Sequence, residues 1–156
     1  MTVHVRAAEP ADVDLVVPLY AAYRAFYQCA PAPADERAFI AERLARRDSR
    51  IFVALDGQPP MSVGFVQLYP AFSSLHMRPA WILNDLYVAV SHRGRGVARM
   101  LMDAGHALAE ETGSAYVTLE TAPDNRAAQR LYEALGYRRD DSMLHYVLDR
   151  LAPAAR

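Results

Sequence analysis

The chain has 156 residues, 53% of them hydrophobic and 22% charged, which is enough for one substantial core and excludes a disordered polypeptide. Seventeen basic side chains stand against eighteen acidic ones, a net charge of −1, without the basic excess of a general nucleic-acid binder. The one cysteine, Cys29, excludes an intrachain disulfide. With no apolar run near 18 residues and no signal-peptide layout, a soluble cytoplasmic protein is expected.

In chain order, residues 3–6 alternate and read as a first strand. Glu9, Pro10, Ala11 and Asp12 are a helix start, followed by Val13, Val16, Val17, Tyr20, Tyr23 or Arg24, and Tyr27 at helical spacing. Pro18 conflicts with that helix and predicts a kink or a late start. The Pro-rich stretch 30–34 breaks the helix, and residues 35–47 resume the spacing. Residues 51–55 and 62–69 are expected to form an antiparallel pair joined at Asp56-Gly57. Residues 70–79, bounded by two prolines, read as a loop.

Residues 82–90 form an apolar strand, interrupted only by Asn84 and Asp85. A turn of Arg93, Gly94, Arg95 and Gly96 then leads into a helix over 97–111, stopped by Gly113. A strand over 115–121 follows. Asp124 or Asn125 caps a further helix, which faces Ala128, Leu131 and Leu135 inward and ends at Gly136. Tyr137 and Arg138 open a final hairpin that residues 143–148 complete. The order is β-α-α-β-β-β-α-β-α-β-β, an α/β mixed sheet with helices on both faces. One domain is expected over 1–151, with a tail at 152–156.

The turn at 93–96 is the most informative stretch. The N–H groups at a helix start lack intrahelical partners, and the helix dipole favours an anion there. Two glycines permit close approach, and Arg93, Arg95 and Arg99 add charge. This is a cradle for a diphosphate. A Walker-type loop is excluded because it needs a lysine, and the chain has none. A dinucleotide fingerprint matches only in part, since Arg99 stands at its third glycine.

Arg93, Gly96 and Ala98 instead satisfy Arg-x-x-Gly-x-Ala. About 30 residues later, Asn125, Ala128, Leu131-Tyr132 and Gly136-Tyr137 satisfy Asn-x-x-Ala-x-x-Leu-Tyr-x-x-x-Gly-Tyr. Together these resemble the GCN5-related N-acetyltransferase family, and the branch resembled most is the one with histone- and polyamine-acetylating enzymes. The resemblance implies that family's acyl-CoA N-acyltransferase fold, with acetyl-CoA as co-substrate and no metal. It implies direct transfer of an acetyl group to a small amine, a polyamine or a lysine. A homodimer is also implied, through the C-terminal strands or residues 3–6.

By the same resemblance, the N–H groups of Arg93, Gly94, Arg95, Gly96, Val97, Ala98 and Arg99 receive the diphosphate. Leu86, Tyr87 and Val88 pair their backbone with the pantetheine arm, and Asn125 bonds the same arm or its surroundings. Tyr132 is the expected general acid for the leaving thiolate, since a phenol (ordinary pKa about 10) lies within reach of a thiol (about 8.5). Asn84 occupies the position of a catalytic glutamate in many relatives. An amide accepts no proton at neutral pH, so Asn84 is expected to orient a water, and the base is left unassigned.

Asp85 is the neighbouring carboxylate. Alternation sends it to the other sheet face unless a β-bulge intervenes. Tyr27, Tyr69 and Asp85 are the candidate acceptor-binding residues, whereas Tyr20 and Tyr23 read as core. The five histidines show no metal-ligand spacing. A competing reading is an acetyl-CoA sensor without transfer activity, for which the missing glutamate at Asn84 is the only support.

Overall fold

A computed structural model describes residues 2–151; the tail expected at 152–156 lies outside the described residues. The chain divides into two compact bodies, one ending at Leu119 and one starting at Glu120. The first is a five-stranded sheet in the order β1-β2-β3-β4-β5, formed by β1 (His4–Ala7), β2 (Arg50–Asp56), β3 (Met61–Ser73), β4 (Arg78–Val88) and β5 (Val117–Thr118). All neighbours are antiparallel except β4 and β5. The mixed α/β class read from the sequence is the one observed.

Helices α1 (Val13–Phe26) and α2 (Pro33–Arg46) cover one sheet face, where Val16, Leu19, Ile40 and Leu44 pack on Ile51, Val53, Leu55 and Phe65. Helix α3 (Val97–Glu111) covers the other. Gly105 lets it close on the sheet: a Cβ there would stand 3.2 Å from the Leu68 side chain. Gly64 plays the same part from the strand side, since a Cβ would meet Tyr87 O at 3.0 Å and Leu101 Cδ1 at 3.1 Å. Gly64→Ala is therefore expected to lower stability by about 1–3 kcal/mol, measured by urea unfolding. An unchanged midpoint would show that α3 can move off the sheet without cost.

Four local readings need correction. Residues 70–79 are not a loop but the far end of the β3–β4 hairpin, with Pro70 opposite Trp81 and Phe72 opposite Pro79. Pro70 fits here because β2 ends its pairing at Leu68, so its missing N–H faces an open edge. Pro79 joins the segment leading into β5 through its carbonyl, which accepts from Ala115 N–H at 2.8 Å.

Pro18 sits inside α1 without ending it. A 3-10 turn at Pro10–Asp12 delays the regular helix to Val13, and the bond Pro18 forfeits is to the carbonyl of Asp14, an exposed residue. α2 begins at Pro33 rather than Asp35, proline being suited to a first helical turn.

The second body holds α4 (Arg126–Ala134), capped by the Asn125 side chain, which accepts from Ala128 N–H at 3.2 Å. The final hairpin expected at 137–148 is absent among the described residues. No partner strand pairs with this segment, and Met143, Leu144, Tyr146 and Leu148 are exposed. β-prone residues alone do not make a strand without a ladder.

Candidate active site

The site starts from an irregularity in β4. Gln67 faces Asp85 across the ladder, but the next β3 residue, Leu68, faces Leu83, so Asn84 is an extra residue. This is a β-bulge. Without it, Leu83 and Asp85 would share a face. With it, Leu83 stays opposite Leu68 on the α3 side while Asp85 turns to the face covered by α1 and α2. Plain alternation therefore fails at Asp85, for the reason that left the question open in the sequence.

Asp85 is only 4% exposed. Its Oδ2 accepts from Gln67 Nε2 at 2.6 Å and its Oδ1 from Asn84 Nδ2 at 2.9 Å. Gln67 is fully buried and held in orientation, because Ser49 Oγ donates to its Oε1 at 2.9 Å, which aims Nε2 at the carboxylate. The Nε2 group also reaches Tyr69 Oη at 3.2 Å. Asn84 thus orients a carboxylate, where the sequence suggested a water. Gln67 and Ser49 were missed in the sequence; the available signal was a lone amide in the apolar run 63–68.

Four tyrosines look onto this carboxylate. Burial, then the Asp85 charge, pushes the Tyr20, Tyr27 and Tyr69 phenols up from their ordinary value. The same two causes and a hydrogen bond to Asp85 push Tyr23 up further. All four stay protonated as neutral donors beside an anion. Tyr20 and Tyr23 also pack edge-on against Phe65, at 6.5 and 6.0 Å between centroids, so a core role and a site role coincide. A cleft of about 250 Å³ is lined by Tyr20 together with Arg24, Ala32, Asp35, Glu36 and Phe39. The Arg24 and Glu36 side chains there are paired with each other.

The edge of β4 away from β3 is open along most of its length. β5 pairs only with Trp81 and Ile82. Ala89 N–H donates to Val63 O at 2.9 Å, which puts Tyr87 in phase toward β3 and leaves the N–H groups of Leu86 and Val88 on the open edge. The Tyr87 backbone is thus committed to the sheet, contrary to its expected pairing with the pantetheine. Leu86 and Val88 keep the geometry of a strand waiting for a neighbour.

Past β4, a 3-10 turn at Val90–His92 leads to the glycine turn. Gly94 (φ +71°) and Gly96 (φ +80°) are left-handed, and a Cβ at either would point into open space. α3 begins at Val97 with no side-chain cap on its first turn. The N–H groups at residues 94–99 therefore surround an uncapped helix start, and these residues fit a diphosphate.

Arg93 departs from its expected place in that set. Its N–H donates to Val90 O at 3.3 Å, and its Nε donates to Val88 O at 3.0 Å. Its guanidinium lies 5.8 Å from the Phe26 centroid and 5.5 Å from that of Tyr87. Two aromatic rings and a carbonyl have drawn the side chain to the end of α1.

In the second body, the Tyr132 and Tyr137 rings are 6.0 Å apart. Burial, then Tyr132, pushes the Tyr137 phenol up to about 12. Among the described residues no three His, Cys, Asp or Glu side chains gather to hold a metal, and no helix is long and apolar enough to cross a membrane.

A bulged strand with an open edge, followed by a glycine turn at an uncapped helix, is the frame of an acyl-CoA-dependent acyltransferase. The chain belongs to the GNAT acetyltransferase family: the model of the "Acetyltransferase (GNAT) family" matches residues 17–137. It is 37% identical over 146 residues to the uncharacterized N-acetyltransferase YhfO of Bacillus subtilis (strain 168), covering 94% of this chain and 97% of that protein. It is 29% identical to the D-amino-acid N-acetyltransferase HPA3 of Saccharomyces cerevisiae, covering 87% and 85%. The solved structure of a probable acetyltransferase superposes with a TM-score of 0.91 at 37% identity, covering 96% of this chain and 99% of that one. The protein is accordingly an acetyltransferase enzyme.

Proposed function

We propose that the chain transfers the acetyl group of acetyl-CoA to a primary amine by direct attack in a ternary complex. The observation that carries this reading is the buried, bulge-directed carboxylate of Asp85 beside an open strand edge. The edge at Leu86 and Val88 takes the amide groups of the pantetheine arm, and the 94–99 turn takes the diphosphate. The acceptor enters as an ammonium, is held by Asp85 among the tyrosines, and gives Asp85 a proton. Its nitrogen attacks the thioester carbon, and the Val88 N–H stabilises the oxyanion. The C–N bond forms, the C–S bond breaks, and the thiolate takes a proton from Tyr132; the second proton of the former amine passes through water to the Tyr132 phenolate, and Asp85 releases its own proton to solvent. The amide and free CoA leave.

Asp85 supplies the base that Asn84 cannot. The two bodies act as one catalytic domain, a reading supported by the family match running across their boundary. Cytoplasmic location and a homodimer belong to this reading; a single cysteine and the family resemblance support them.

The test is thiol release from acetyl-CoA against a panel of small amines, amino acids, polyamines and histone-tail peptides. Release above background with at least one of them is expected. Tight acetyl-CoA binding with no release for any acceptor would instead favour a sensor, and no binding would sink the acetyl-CoA assignment.

A further inference from the structure

Two opposite charges at the two ends of one row of aromatic rings have no ion-pair partner among the described residues. One is the Asp85 carboxylate, bonded only to neutral side chains, and the other the Arg93 guanidinium; neither forms a salt bridge with the other or with any further charged group. Beyond the bulge, Asp85 and Tyr87 share the face toward α1, about 7 Å apart along β4. The Arg93 guanidinium lies over the Tyr87 ring at 5.5 Å. From there the rings of Phe26, Tyr27 and Tyr23 follow one another at 5.2 and 5.0 Å, and Tyr23 ends the row on Asp85. The mouth of the row is open, since Phe26, Tyr27 and Arg93 are exposed while Asp85 is buried.

An anion at the bottom of an aromatic wall and a cation at its rim complement a molecule that carries both charges. Arginine is suited to the rim. Its planar fork stacks on aromatic faces and still presents two N–H groups to a carboxylate. The Nε of Arg93 is fixed on Val88 O, which sets the plane of the fork.

We infer that Arg93 is a specificity-determining residue that holds the acceptor's carboxylate while Asp85 holds its ammonium. The acceptor is therefore a free amino acid, in preference to a polyamine, a simple amine or a lysine within a peptide. The inference rests on the acetyltransferase reading and narrows its substrate class.

The experiment compares kcat/KM at saturating acetyl-CoA for matched series: L- and D-leucine and phenylalanine, their amides, and the decarboxylated amines. Each member has the same side chain and amine and differs at the carboxylate. The wild-type enzyme is expected to prefer the acid over both neutral forms by about 10- to 150-fold, the range of a charge-assisted hydrogen bond. Arg93→Gln should bring that ratio to within about threefold of unity, and Arg93→Lys, which keeps charge without the fork, should fall between. Equal use of acids, amides and amines by the wild type would overturn the inference. So would a preference that survives in Arg93→Gln while the KM for acetyl-CoA rises, which would return Arg93 to the diphosphate. Failure of every amine to release thiol would defeat the transferase reading itself, and this inference with it.

Discussion

Replacing Asp85 by asparagine lowers kcat/KM for the acceptor by two to four orders of magnitude, the usual span for a positioned general base. The size of the effect follows from the surroundings of the carboxylate. Asp85 is buried, aimed by a bulge, and fixed on both oxygens by amide donors from Gln67 and Asn84. An asparagine there keeps the volume but offers one oxygen and one NH2 group. The NH2 must face the amide donor of Gln67 or of Asn84. That conflict costs roughly 1–3 kcal/mol of stability, so thermal unfolding has to be followed beside activity. The expected result is a folded variant with a lowered midpoint, nearly unchanged acetyl-CoA affinity and turnover close to background. Turnover within threefold of wild type in a folded variant would remove Asp85 from the role of base and leave proton loss to water.

Tyr132→Phe is expected to lower single-turnover acetyl transfer by 100-fold or more, within the range of general acid catalysis, with acetyl-CoA affinity changed less than about twofold. The ring contact with Tyr137 does not need the hydroxyl, and a phenylalanine keeps the helix-face aromatic of α4. Thermal unfolding followed beside the rate separates a lost proton from lost packing. Single-turnover conditions matter because a slow product release would hide the step. An unchanged single-turnover rate would take the acid role away from Tyr132.

Much of the frame was legible in the residues. The glycine turn and the apolar spacing of α3 locate a helix start, and Asn125 announces its own cap. What escaped was decided by neighbours. Pro70 and Pro79 read as loop residues because proline cannot donate to a ladder, yet Pro70 faces an edge with no strand to receive a donor, and Pro79 meets its neighbour through its carbonyl. Asp85 could not be placed on a face without knowing that Asn84 is the extra residue. The polar pair in an apolar strand hinted at an irregularity without fixing its sense.

Arg93 belongs to a motif associated with diphosphates, but its side chain answers to the Phe26 and Tyr87 rings, one of them some 67 positions away. Gln67 and Ser49 are silent in sequence for a similar reason, since an amide's orientation is set by what lies on both sides of it. Tyr20 and Tyr23 fit the core pattern and pack in the core, and the same pattern says nothing of where their hydroxyls end.

Pro70 in the β3–β4 hairpin has a consequence for solubility. The β3 edge of the hairpin runs on uncovered past the end of β2, and Phe72, Leu75 and Met77 near its tip are exposed. An apolar arm with an open edge is the usual template for edge-to-edge aggregation. Pro70 removes a donor from that edge, so an incoming strand meets a gap. A residue that disguised this segment as a loop is thus one that keeps it from recruiting a second chain.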